Sequence, residues 1–225
     1  MLPLCFLDAN VLAKPFTRTL LLVASAVTNA RFCPIWSQRA EDEAMRVLER
    51  RFSGRATSLA QLRSNWGFSL SPTAAVSGRF TATQFSDRQI LADAIEAGAG
   101  IIVTEDVDDF AEIDLESNGV CAIHYDLFAA SFLTFEGYES ALSVISRAES
   151  KRAVHAAVAR LHPRVFAKFS AVFPDVLPAP YSGNPPTEII RGRAQVLSES
   201  EHQAILAMVE LPQRLPRNEG GAWPQ

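Results

Sequence analysis

Four acidic side chains stand where they can do chemistry: Asp8, Glu43, Asp87 and Asp106. Asp8 ends a short apolar run, Leu4 to Leu7, that reads as a buried strand. Glu43 falls in the opening turns of a helix that Ser37 is placed to cap and that runs to about Phe52. Asp87 opens another helix, with Ser86 as the expected cap and Gly98 as the stop. Asp106 follows Gly100-Ile101-Ile102-Val103-Thr104, a second buried strand. Singly, each has an ordinary explanation: an acid suits the positive end of a helix dipole, and an acid after a strand often makes a turn. Four acids in one structural role point to a shared site.

Carboxylates drawn close together repel and cannot all ionise unless something offsets the charge. A hard divalent cation does so, and a site rich in carboxylates and poor in histidine suits Mg2+ or Mn2+ better than zinc. The four histidines, His124, His155, His162 and His202, are scattered along the chain. A cation held this way lowers the pKa of bound water, orients it in line and stabilises charge on a phosphate. Asp8, Asp87 and Asp106 are the expected metal ligands, and Glu43 completes the expected catalytic set. Asp109, Thr104 and Asn10 are secondary candidates beside them; the last two suit hydrogen bonding to a ligand carboxylate or a bound water, or equally a backbone cap. Asp93, six positions on from Asp87, is expected to face solvent or to stand behind the first ligands.

Convergence of these acids needs a scaffold that gathers distant positions. Leu4–Leu7, Phe32–Trp36, Gly100–Thr104 and Val120–Ile123 read as nearly all-apolar strands separated by helices. That pattern implies an α/β fold with a parallel sheet covered on both faces. In such sheets strand C-termini and helix N-termini share one rim, where ligands bind. The Ser/Thr/Gly-rich region from Ser53 to Gln84 holds one weak helix, Leu59 to Trp66. Beyond Asp126 the character changes to helices, Phe135–Ser146, Arg147–Phe169 and Ser198–Glu210, with a Pro-rich stretch from 174 to 186. The expected division is an α/β domain over 1–135, a helical C-terminal extension over 136–211 and a flexible tail over 212–225.

Composition bounds what the site can act on. The chain has 225 residues, 48% of them hydrophobic, and a mean hydropathy of +0.07, enough for a real core. A net charge of −4 excludes a protein that grips nucleic acid by bulk charge, so phosphate contacts must be local. Arg46 and Arg88 flank the expected rim. Arg147 and Lys151, and again Arg160, Arg164 and Lys168, recur at four-residue spacing, which makes helical stripes suited to phosphate contact or simply to solvation. Cys5, Cys33 and Cys121 are odd in number and far apart, which suits buried thiols in a reducing cytosol. No basic leader and no apolar run of about 20 residues is present, so a soluble, cytoplasmic protein without membrane contact is expected.

The same residues resemble the motifs of a known family, the PIN domains. Phe6-Leu7-Asp8-Ala9-Asn10-Val11-Leu12 is similar to the opening strand motif. Trp36-Ser37 with Glu43, Arg46 and Leu48 resembles the second motif, and Asp87-Arg88-Gln89-Ile90-Leu91-Ala92-Asp93-Ala94 the third. Val103-Thr104-Glu105-Asp106-Val107-Asp108-Asp109-Phe110 resembles the closing motif, with Glu105 making the loop more acidic than is usual. The resemblance runs from about residue 3 to 135. It implies a three-layer α/β/α sandwich with a central parallel sheet and Mg2+- or Mn2+-dependent cleavage of RNA. It also implies a VapC-type toxin of a toxin–antitoxin pair, restrained by a small antitoxin (VapB-like or of another class), and a possible homodimer. The alternatives are a housekeeping RNA-processing nuclease, a catalytically silent scaffold of the same fold, and a phosphoryl-transfer hydrolase with an aspartyl nucleophile. The last usually needs a second Asp two positions after the first, where this chain has Asn10.

Overall fold

A computed structural model describes residues 2–52, 58–148, 150–183 and 186–211. The tail expected to be flexible, 212–225, lies outside the described residues.

Strand β1 (Leu4–Leu7) sits inside a six-stranded sheet and leads through α1 (Ala9–Leu12) and α2 (Pro15–Ser25) to β2 (Cys33–Ser37). Next come α3 (Gln38–Phe52), α4 (Leu59–Trp66) and the short β3 (Leu70–Ser71). Then α5 (Arg88–Glu96) leads to β4 (Ile101–Thr104), and a 3₁₀ turn at Val107–Asp109 precedes α6 (Glu112–Glu116) and β5 (Cys121–His124). The strand order is β3-β2-β1-β4-β5-β6, and the first five strands run parallel. Nearly all side chains of β1, β4 and β5 are buried, which is why their sequences are unbroken apolar runs rather than alternating ones. With eleven α-helices among the described residues, this is an α/β fold compatible with three layers.

The remaining helices are α7 (Tyr125–Phe132), α8 (Phe135–Ile145), α9 (Lys151–Leu161), α10 (Pro163–Phe169) and α11 (Glu199–Val209). The stretch read as wholly helical after residue 135 also supplies a strand. β6 (Ile190–Gly192) pairs antiparallel with β5, Cys121 facing Gly192 and Ile123 facing Ile190. Three residues in a polar setting carry no periodicity, so this strand has no local signal. The long helix expected over Arg147–Phe169 is also broken. Ser146–Ala148 forms a 3₁₀ turn, and His162 at φ −142°, ψ 71° separates α9 from α10. Pro163 explains the second break, since the residue before a proline is driven out of the helical region.

Three smaller expectations change too. Ser86 does not cap α5; Asp87 is the N-cap residue, without a side-chain cap bond, and the Ser86 hydroxyl donates to the Asp87 carboxylate. Cys33 is exposed, whereas Cys5 and Cys121 are buried. Asp93 is fully buried rather than solvent-facing, and its Oδ1 accepts from the Ala74 amide at 2.8 Å and from Gln89 Nε2 at 2.7 Å. It pins the chain after β3 to α5, a role for which position six beyond Asp87 gives no hint.

No helix among the described residues is long and apolar enough to cross a membrane.

Candidate active site

The chain leaves β1 for β2 on one side and later adds β4 on the other, so the strand order reverses between β1 and β4. At such a switch point the two connections diverge and open a crevice beyond the strand ends. Asp8 follows β1 there, its amide donating to Val103 O at 3.0 Å, and Asp106 lies two residues beyond β4.

Asp8 is 5% exposed, and both its oxygens are engaged. Oδ1 accepts from the Ala9 amide at 2.6 Å, capping α1, and Oδ2 accepts from Thr104 Oγ1 at 2.7 Å. Thr104 Oγ1 in turn accepts from Asn10 Nδ2 at 3.0 Å and from the Asp106 amide at 3.2 Å. Asn10 closes the net: its Nδ2 also reaches Asp106 Oδ2 at 3.2 Å, and its Oδ1 accepts from the Glu105 amide at 3.1 Å. Two of the three secondary candidates, Thr104 and Asn10, are therefore the struts that tie the first acid to the fourth beyond the ends of β1 and β4.

The acids feel one another. Burial pushes the Asp8 carboxyl up to about 7, and the charges of Asp87 and Glu43 add to that against the bonds from Thr104 and Ala9. Asp87 is raised by burial and by Glu43 and Asp106. Asp106 is raised by burial and by Glu105 and Asp108. Burial, followed by Asp87, Asp106 and Asp108, lifts Asp109 to about 6. Glu43 is exposed on α3 and Asp106 on its loop, whereas Asp87 and Asp109 are half-buried. All four primary acids and Asp109 thus lie within electrostatic reach of one rim, although they come from four separate stretches of chain. As their side chains lie, no three His, Cys, Asp or Glu residues among those described form a ready metal-ligand set. Their donor chemistry nevertheless fits a hard divalent cation: the acids offer carboxylate oxygens, Thr104 a hydroxyl and Asn10 an amide oxygen, and the mutual repulsion of the acids is what a cation offsets.

The basic candidates fare unevenly. Arg46 is exposed on α3, three residues beyond Glu43. Arg88 is committed: Nε donates to Thr83 O at 2.9 Å and Nη2 to Thr81 O at 2.8 Å, and the guanidinium lies 5.6 Å from the centre of the exposed Phe85 ring. Arg147 and Lys151 are exposed but belong to different elements, the 3₁₀ turn and α9. The other stripe dissolves at the α9–α10 break, where Arg164 pairs with Asp126 at 3.3 Å and Lys168 Nζ bonds the carbonyls of Ala130 and Leu133. Two cations beside the rim had no signal in the sequence. Lys14 pairs with Glu105 at 2.9 Å, and Arg191 of β6 donates to the carbonyls of Asp108 and Phe110.

Compared with protein-family models, curated proteins and solved structures, the chain matches none.

Proposed function

We propose that this chain is a Mg2+- or Mn2+-dependent endoribonuclease of the PIN type, acting as the toxin of a toxin–antitoxin pair. One observation carries the nuclease reading. Carboxylates from four stretches of chain lie within electrostatic reach of one another beside a topological switch point, and burial, with the charges of Asp87 and Glu43 added, pushes the innermost, Asp8, up to about 7. Keeping acids buried and beside one another costs stability, and such perturbed carboxyls concentrate at functional sites. The motif resemblance, not the geometry, supports RNA as substrate, the antitoxin and the homodimer.

Asp8, Asp87 and Asp106 would hold the cation, with Glu43 and Asp109 at its margin. The bound cation supplies a water of lowered pKa and positive charge beside the phosphate. The chain's own part is positional. Thr104 and Asn10 fix the Asp8–Asp106 separation, the Ala9 amide orients the Asp8 carboxylate, and Lys14 balances Glu105 so that the loop tolerates a further anion. Arg46, exposed on α3 three residues beyond Glu43, would be the cation that meets a phosphate.

The test is cleavage of single-stranded RNA by purified protein in Mn2+, with Asp8→Asn and Asp106→Asn beside the wild type. Each substitution should lower the rate at least about 100-fold. A wild type that cuts no RNA in Mn2+, with any co-purifying antitoxin removed, would sink the proposal. Growth arrest on expression separates the toxin from a housekeeping nuclease.

A further inference from the structure

The loop that carries Asp106 and Asp109 has little holding it together from within. Its turn is closed by two long backbone bonds, Asp109 N to Asp106 O and Phe110 N to Val107 O, each 3.3 Å. Four of its five residues from Glu105 to Asp109 are acidic, so its own charges drive it open. One clamp comes from far along the chain. Arg191 Nη1 bridges the carbonyls of Asp108, at 3.0 Å, and Phe110, at 2.8 Å, straddling the turn. The rest of the guanidinium is locked by Glu188, which accepts from Nε at 2.7 Å and from Nη2. A planar fork held on one edge leaves the other edge aimed at a fixed angle, which a lysine cannot reproduce. Its charge also faces Asp108 and Glu112. β6 carries this arginine to the site because it pairs with β5, the strand beside β4.

We infer that Arg191 is a positioning residue of the acidic site: it sets the Asp106–Asp109 turn, so the carboxylate set is complete only when the C-terminal strand is docked. The inference rests on the metal-dependent reading above. The segment after residue 135 is then part of the site rather than an appendage to it.

The experiment uses the full chain without RNA and reads two quantities: Mn2+ binding by calorimetry, and amide hydrogen exchange across residues 105–110. Arg191→Gln should weaken Mn2+ binding about 10-fold or more, as loss of a supporting hydrogen bond behind a ligand does. Exchange in the loop should quicken by a similar factor while β1 and β4 stay protected. Arg191→Lys should recover part of both. Glu188→Gln should shift both in the same direction by less, and it carries the comparison if Arg191→Gln does not fold. Unchanged Mn2+ affinity and unchanged loop exchange overturn the inference, even if the melting temperature falls, since that pattern marks a purely structural arginine. If the wild type binds no Mn2+, the nuclease reading fails instead, and loop exchange alone decides whether the clamp exists.

Discussion

At the rim beyond β1 and β4, carboxylates outnumber their partners and raise one another's pKa, while beneath α7 almost every buried charge has been given a partner. Asp126, 1% exposed, accepts from the amides of Arg164 and Val165 and so caps α10 from a different helix. Arg164 returns a side-chain bond to Asp126 and another to Val209 O at the end of α11. Lys168 closes the C-terminal end of α7 through Ala130 O and Leu133 O. Tyr138 bonds His155 Nδ1 at 2.7 Å, and Tyr125 bonds Tyr181 at 2.8 Å. One sequence therefore shows both treatments of a buried acid. Beneath α7 the acid that serves the fold is met by a cation and two amides on the spot; at the rim the acids face like charge. Arg191 stands at the join, its guanidinium balanced by Glu188 and its donors spent on the unbalanced loop.

The largest effect should come from unbalancing the paired region. Asp126→Ala strands Arg164 in a site that is 15% exposed and leaves two amides of α10 without an acceptor. Burial pushes the Asp126 carboxyl up to about 6 in spite of Arg164, so at neutral pH the acid is ionised and the pair is intact. Removing one member of a buried pair costs about 3–5 kcal/mol. Denaturant unfolding at neutral pH measures it, and a loss under about 1 kcal/mol would erase the contrast drawn between the two regions.

The opposite sign is expected at the rim. Asp8 titrates in the fold near 7 against an ordinary value of 3.8. As pH rises through that window the unfolded chain gives up the proton first, so the fold loses stability toward neutrality. His124 and His162 are pushed by burial to about 3 from 6.5, so their contribution is lost as pH falls from about 6.5 toward 3. Asp8 and the two histidines thus tilt the metal-free stability curve in opposite directions, and Asp126, also raised, adds a separate tilt in the direction of Asp8's. Asp8→Asn removes only the first tilt. At pH 8 it relieves roughly 2–4 kcal/mol of ionisation cost. It gives back about 1 kcal/mol because the amide NH2 that replaces one carboxylate oxygen cannot accept the bond that oxygen took from Ala9 or Thr104. The metal-free variant should therefore melt higher than wild type at pH 8 and no higher at pH 4.5. Destabilisation at both would make Asp8 a structural cap.

How far the sequence foretold this division depends on the range of the signal. Parallel strands were legible because β1, β4 and β5 are short unbroken apolar runs; Asp8 and Asp106 were legible because each follows such a strand, and Asp87 because it opens α5. Ser37 capping α3 was likewise local, its Oγ accepting from the Ala40 amide at 3.3 Å. Arg191, Asp126 and Asp93 were not, because each acts on backbone groups 19 to 83 residues away and nothing in its neighbours in sequence says so. Four-residue spacing made Arg160, Arg164 and Lys168 look like one face, but the spacing holds only along an unbroken helix, and Pro163 ends it.

The smallest effect should fall on the border between the regions. Glu105 pairs with Lys14 at 2.9 Å, with side chains 36% and 27% exposed, yet it also adds to the negative charge around Asp106. An ion pair this open contributes about 0–1 kcal/mol. Glu105→Gln deletes that gain and at the same time relieves repulsion of comparable size on Asp106, so the two changes nearly cancel. The melting temperature of the metal-free protein should move by less than about 2 °C at pH 7. Added salt should leave the variant less affected than wild type, because the charges it screens are fewer. A drop worth more than about 1 kcal/mol would put Glu105 among the charges the fold depends on, and would move the boundary of the unbalanced region inward to Asp106 itself.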